Sequence, residues 1–117
     1  MQDDFFTEEE LRSLRNITLE ELRELSARIG PLAAALAEKP AGQKARKEIT
    51  NIFHTIGGSA ALAGFERISN IGADTETLLK RAPQNKPLPK DALEKISSAH
   101  ARLSKFIKSE SAKLNNK

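Results

Sequence analysis

Apolar positions along this chain recur at steps of three and four, and no segment alternates with the period of a strand. Leu19, Leu22, Leu25, Ile29, Leu32 and Leu36 mark one face of a helix over about 18–38. Ahead of it, Thr7-Glu-Glu-Glu10 has the shape of a capping box and predicts a short separate helix over about 8–15. Thr18-Leu-Glu-Glu21 repeats that signal and predicts the start of the longer helix. Gly30-Pro31 interrupts the longer pattern. Proline lacks a backbone donor and crowds the preceding turn, so a kink is expected there, with a break into two helices at Gly30 as the alternative.

Three more amphipathic stretches follow. Ala45, Ile49, Ile52, Phe53, Ile56 and Ala60 predict a helix over about 43–62, with Gly64 as its stop. Phe65, Ile68, Ile71, Leu78 and Leu79 predict another over about 65–81. Leu93, Ile96, Ala99, Leu103, Phe106 and Ile107 predict the last, over about 90–113. Lys39-Pro-Ala-Gly42 and Pro83-Gln-Asn-Lys-Pro-Leu-Pro89 read as loops, and the final Asn-Asn-Lys as a frayed end. Long helices joined by short connections imply an all-α, antiparallel four-helix bundle with the short N-terminal helix across one end, a single domain over 1–117.

Composition narrows the chemistry. The chain has no Cys, Trp or Tyr, so a disulfide framework and a thiolate metal site are both excluded. No apolar run approaches the roughly 20 residues that span a bilayer. The acidic start, Met-Gln-Asp-Asp-Phe-Phe, does not read as a signal peptide. A soluble, cytoplasmic monomer is expected. The net charge of +3 conceals an asymmetry: residues 1–38 hold four Arg against nine Asp or Glu, a net of −5, whereas residues 39–117 hold fifteen Lys or Arg against seven, a net of +8. The basic part suits an acidic partner or nucleic acid, or else is a set of solvated helix faces.

The third predicted helix carries the most specific feature. At ~100° per residue, His54 lies about 150° from the centre of that helix's apolar stripe, on its outward face. Gly57 and Gly58 follow at three and four positions, the spacing of surface neighbours on a helix. Each Gly costs a helix interior about 1 kcal/mol relative to Ala. Such bare backbone beside an imidazole gives a bulky donor room to approach a neutral ring nitrogen. A surface His beside a glycine kink is the alternative. Thr50, Asn51, Ser59 and Ala61 are placed to frame His54 on the same helix.

The run His54-Thr-Ile-Gly-Gly58-Ser-Ala-Ala-Leu-Ala-Gly64 resembles the phosphoacceptor motif of histidine-containing phosphotransfer domains. That motif has His, then Lys-Gly at the third and fourth following positions, then Gly at the tenth. His54, Gly58 and Gly64 match it. Ile68, Gly72 and Glu76 are similar to the aliphatic, small and Glu positions that follow in the family, and Phe65 to the corresponding region of chemotaxis kinases. The resemblance implies a phosphorelay intermediate. His54 takes a phosphoryl group from the phosphoaspartate of a response-regulator receiver domain, or from a hybrid histidine kinase, and passes it to another receiver. The receiver supplies the metal ion and most of the machinery, while this chain contributes a nucleophile and a docking surface that includes Gly57, Gly58, Thr50, Asn51 and Ala61. No cofactor, metal or membrane partner is implied. The chain has no Gly-rich nucleotide loop, so autonomous kinase activity is not expected. Gly57 stands where the family usually has Lys, which removes a positive charge near the phosphoryl group; Gly57→Lys is expected to restore it with a small gain in stability. Lys47 leans toward the start of its helix, away from His54, and replaces that charge poorly.

Other residues offer weaker readings. His100 lies at the edge of the last apolar stripe and reads as a partly buried structural His. Asp74 and Glu76 are close enough in sequence for acid–base work, but no nucleophile accompanies them, and exposed helix charge is the simpler account. A basic helical nucleic-acid binder is the alternative from another class, although the charges are scattered and lack aromatic interleaving. A helical interaction module without catalysis is the third.

Overall fold

A computed structural model of the chain describes residues 6–38, 42–84 and 86–115. These form four helices, α1 (Glu8–Glu38), α2 (Gln43–Ala63), α3 (Glu66–Arg81) and α4 (Lys90–Asn115), and no strand among the described residues. Each helix packs on its neighbours in sequence and α4 returns to α1, while among the described residues the backbones of diagonal helices stay apart. The result is the expected antiparallel four-helix bundle. The central layer is built from the predicted stripes, with Leu22, Ile29, Phe53, Ile56, Ile96 and Leu103 fully buried. Of the predicted loop at Lys39-Pro-Ala-Gly42, only Gly42 lies within the described residues. Asn85 and the last two residues of the predicted frayed end also fall outside them.

The N-terminal part differs from the sequence expectation. The short helix expected over 8–15 is not separate: it forms the first turns of α1, which runs without interruption for 31 residues. The capping box at its start is formed. Thr7 N–H donates to Glu10 Oε1 at 2.8 Å, and Glu10 N–H donates to Thr7 Oγ1 at 3.0 Å. The similar signal at Thr18 starts nothing, because in a helix already under way the nearby backbone donors are engaged and need no cap. Gly30-Pro31 does not divide α1 either. Pro31 withholds a donor from the carbonyl of Ala27, but Ala27 is exposed and water can take its place. Gly30 also lacks the Cβ that would crowd the proline ring.

The other end of the α2–α3 pair is turned by a glycine. Gly64 adopts a left-handed conformation, φ 84°, where side chains are disfavoured. Its N–H reaches the Ala61 carbonyl at 3.2 Å and that of Phe65 reaches the Ala60 carbonyl at 2.8 Å, a Schellman arrangement. Phe65 is buried, so the chain re-enters the core at once and α3 begins at Glu66.

At the start of α2, Arg46 is buried at 3% exposure, although its charge marks it as a surface residue in the sequence. Its guanidinium donates to the carbonyls of Pro83 (2.6 Å), Ala82 (2.9 Å), Leu79 (3.1 Å) and Lys86 (3.3 Å). Carbonyls at a helix C-terminus lack intrahelical partners, and a forked cation is well shaped to satisfy several together.

Candidate functional site: an exposed histidine facing α3

The site begins with a close helix crossing. A Cβ on Gly72 of α3 would lie 2.7 Å from Gly57 N, 2.8 Å from the Phe53 carbonyl oxygen and 2.9 Å from Gly57 Cα. Only glycine fits there. From the other side, a Cβ on Gly57 would lie 3.3 Å from Ala73 N. Ser69 adds a bond across the seam, its hydroxyl donating to the Gly57 carbonyl at 2.9 Å. Backbone therefore meets backbone here, and side chains one turn further along are brought within direct reach of each other.

Those side chains are His54 and Glu76. His54 Nδ1 lies 2.9 Å from Glu76 Oε2, and the same oxygen is 2.8 Å from Lys80 Nζ. The His54 side chain is 71% exposed and that of Glu76 16%. The Lys80 ammonium, bonded to the Glu76 carboxylate, holds that carboxyl below its ordinary range; partial burial opposes the shift, and the hydrogen bond from His54, with its charge whenever the ring is protonated, reinforces it. An ionised carboxylate only accepts, so Nδ1 must be the donor. In the neutral ring this fixes the tautomer and leaves the lone pair on Nε2, at the edge of the imidazole away from Glu76.

The predicted framing residues divide. Asn51, Gly58 and Ala61 are exposed on the His54 face of α2. A Cβ on Gly58 would meet nothing within 4 Å, as expected of an open surface. Thr50 is half-buried and its hydroxyl donates to the Arg46 carbonyl at 2.7 Å. Gly57 is buried, contrary to its assignment to the docking surface. Adjacent residues on a helix are separated by ~100°, so the neighbour of an outward Gly58 turns into the seam with α3. The expectation for Gly57→Lys falls with it, since a side chain there starts against the α3 backbone rather than in the open.

Glu76 was not recognised as a partner of His54 from the sequence, and it does not pair with Asp74. Asp74 is exposed and borders a hollow of α3 and α4 with Lys95 and Arg102. The available signal was Ile68, Gly72 and Glu76 at steps of four, which place Glu76 on the same side of α3 as the glycine that meets α2. His100 is half-buried between α4 and α1, its Cε1 3.5 Å from where a Gly30 Cβ would stand. Among the described residues, no group of three or more His, Asp or Glu side chains is arranged to hold a metal ion, and no helix is long and apolar enough to cross a membrane.

An all-helical bundle that presents an oriented imidazole on an open face can lend a nucleophile to another protein's site. The chain belongs to the Hpt domain family, whose model matches residues 13–106. Membership implies histidine phosphotransfer within a two-component phosphorelay, and domains of this family interact with receiver domains and kinases. Neither the comparison with curated proteins nor that with solved structures gave a match.

Proposed function

We propose that His54 is the phosphoacceptor, that it takes a phosphoryl group from the phosphoaspartate of a receiver domain, and that it returns the group to the aspartate of another. The observation that carries this reading is the 2.9 Å contact of Nδ1 with Glu76 on an otherwise exposed ring. It sits within the region that matches the family.

In the forward step the Nε2 lone pair attacks phosphorus. An N–P bond forms as the P–O bond to the aspartyl carboxylate breaks, and that carboxylate leaves with the electron pair. The ring keeps its Nδ1 proton and acquires the positive charge, opposite ionised Glu76. Orientation and fixed charge, the main contributions available in such transfers, are what this chain supplies. Asn51, Gly58 and Ala61 form the approach around the ring, with Thr50 at its margin. The domain acts in the cytoplasm as a monomer. It needs no metal or cofactor of its own and binds no nucleic acid. Its partners are receiver domains and hybrid kinases.

The test is phosphotransfer from a panel of labelled phospho-receivers. Wild-type chain should gain acid-labile, alkali-stable label; His54→Gln should lose it completely while keeping its helical content, and His100→Gln should keep it. Label that survives His54→Gln, or disappears with His100→Gln, would overturn the assignment.

A further inference from the structure

Gly57 leaves the acceptor helix without the cation that the resemblance leads one to expect three residues after His54. Gly57 is buried against α3, so that position faces the helix seam and not the phosphoryl group. Two other lysines lie near the face. Lys47 is two turns before His54 on α2, and side chains on a helix lean toward its N-terminus, so Lys47 leans away from the ring. The same rule applied to α3 has the opposite result. Lys80 lies one turn beyond Glu76, and leaning toward the α3 N-terminus carries it back toward Glu76 and His54. Its Nζ is indeed 2.8 Å from Glu76 Oε2, the oxygen that faces His54 Nδ1. The Lys80 side chain is 65% exposed, so it is free to swing.

We propose that Lys80 is the phosphoryl-binding cation of this protein: supplied by α3 instead of α2, it shifts from Glu76 toward the phosphoryl oxygens once His54 Nε2 is phosphorylated. The inference rests on the phosphoacceptor reading of His54. It gives the single Glu76 oxygen two duties in sequence. Before transfer it holds both the imidazole and the ammonium. After transfer it keeps the imidazole, now positively charged, and releases the ammonium, whose long flexible stem reaches round the ring toward the dianionic group on Nε2. No bond is made or broken in this movement; it redistributes hydrogen bonds among charges already present.

The experiment uses the whole chain, phosphorylated either by phosphoramidate or by a phospho-receiver. Phosphorus NMR gives the state of His54, and the ratio of phospho-chain to phospho-receiver gives the equilibrium. Lys80→Gln should move that ratio toward the receiver by roughly two- to five-fold at low salt, the size of an exposed charge pair, and the difference should shrink as salt rises. Lys80→Arg should stay close to wild type. The decisive comparison is made in a Glu76→Gln background. A lysine that only neutralises Glu76 has no function there, so Lys80→Gln would then change nothing. A lysine that touches the phosphoryl group still shifts the ratio. An unchanged ratio on Lys80→Gln, or a shift that vanishes in the Glu76→Gln background, would overturn the proposal while leaving His54 as acceptor. A wild-type chain that takes no phosphoryl group on His54 would overturn both.

Discussion

The seam between α2 and α3 and the seam between α4 and α1 each border a histidine, yet they are built in opposite ways. At the first, Gly57 and Gly72 let backbone approach backbone, and the side chains that matter lie just outside the contact, in reach of solvent. At the second, Gly30 meets a side chain instead of backbone, with His100 Cε1 3.5 Å from where its Cβ would stand. A cavity of about 210 Å³ remains, bordered by Ser26, Ala27, His100 and Ile107. The Ser26 hydroxyl there is buried without a hydrogen-bond partner. The contrast separates reactivity from mere presence of an imidazole. His54 has a carboxylate on one nitrogen and open space at the other, whereas His100 is wedged among helix surfaces. A tight seam with a polar margin orients an exposed imidazole; a looser one leaves its histidine half-buried beside a hollow.

The contrast can be broken first at Gly72. Gly72→Ala puts a methyl group 2.7–2.9 Å from α2 backbone that cannot rotate away. Net destabilisation of about 1–3 kcal/mol is expected in denaturant unfolding, despite the better helix propensity of Ala. Transfer should slow as His54 and Glu76 part. Gly57→Ala, with a gentler 3.3 Å approach, should cost clearly less. Equal costs would mean that the seam is looser than its glycines indicate. On the other seam the sign should reverse. Ser26→Ala removes a buried hydroxyl that bonds to nothing and improves helix propensity, so stability should rise by about 1 kcal/mol. A loss on unfolding would show that the hydroxyl is satisfied in solution.

Smaller effects sharpen the comparison at the site itself. Gly58→Leu meets open space and should raise stability by about 0.5–1 kcal/mol while slowing transfer from a receiver. Destabilisation would place Gly58 in a contact and move the docking face. The least effect concerns pH. The Glu76 carboxyl is held low in the folded chain, so the stability it contributes is complete above the ordinary carboxylate range and is lost as pH falls through the lowered folded value. Glu76→Gln should flatten that acid limb by less than about 1 kcal/mol. A mutant whose acid unfolding matches wild type would show that the His54–Glu76–Lys80 contacts do not form.

Much of this fold was legible because apolar side chains announce which way they face. The stripes through Ile49, Ile56, Ile71 and Ile96 placed the helices and set His54 outward, and Gly64 marked its turn. What was missed has a common physical origin. Gly57 has no side chain, so its burial leaves no trace in a hydrophobic pattern. Arg46 is charged, and only the carbonyls gathered around it, from 33 to 40 residues away in sequence, make its burial favourable. Thr18 and Glu21 match a helix start locally, and whether a helix is already running through them is decided by the preceding turns. Glu76 was visible as part of a family pattern, but its pairing with His54 depends on the closeness of two glycines on different helices.

The Arg46 clamp and the Gly64 turn lie at opposite ends of the α2–α3 hairpin, so that pair is fastened at both ends, with Arg15 of α1 adding one bond to the Ala63 carbonyl at the Gly64 end. Such a twice-fastened hairpin is a natural cooperative unit of local unfolding. The amides in the last turns of α3 should exchange with solvent as slowly as those in the middle of α2, and not at the faster rate of an ordinary fraying terminus. His54 and its partner Glu76 should then belong to one foldon. Slow exchange shared by α2 and α3, with faster exchange in α1 and α4, would show that the geometry around His54 outlasts loosening of the other two helices.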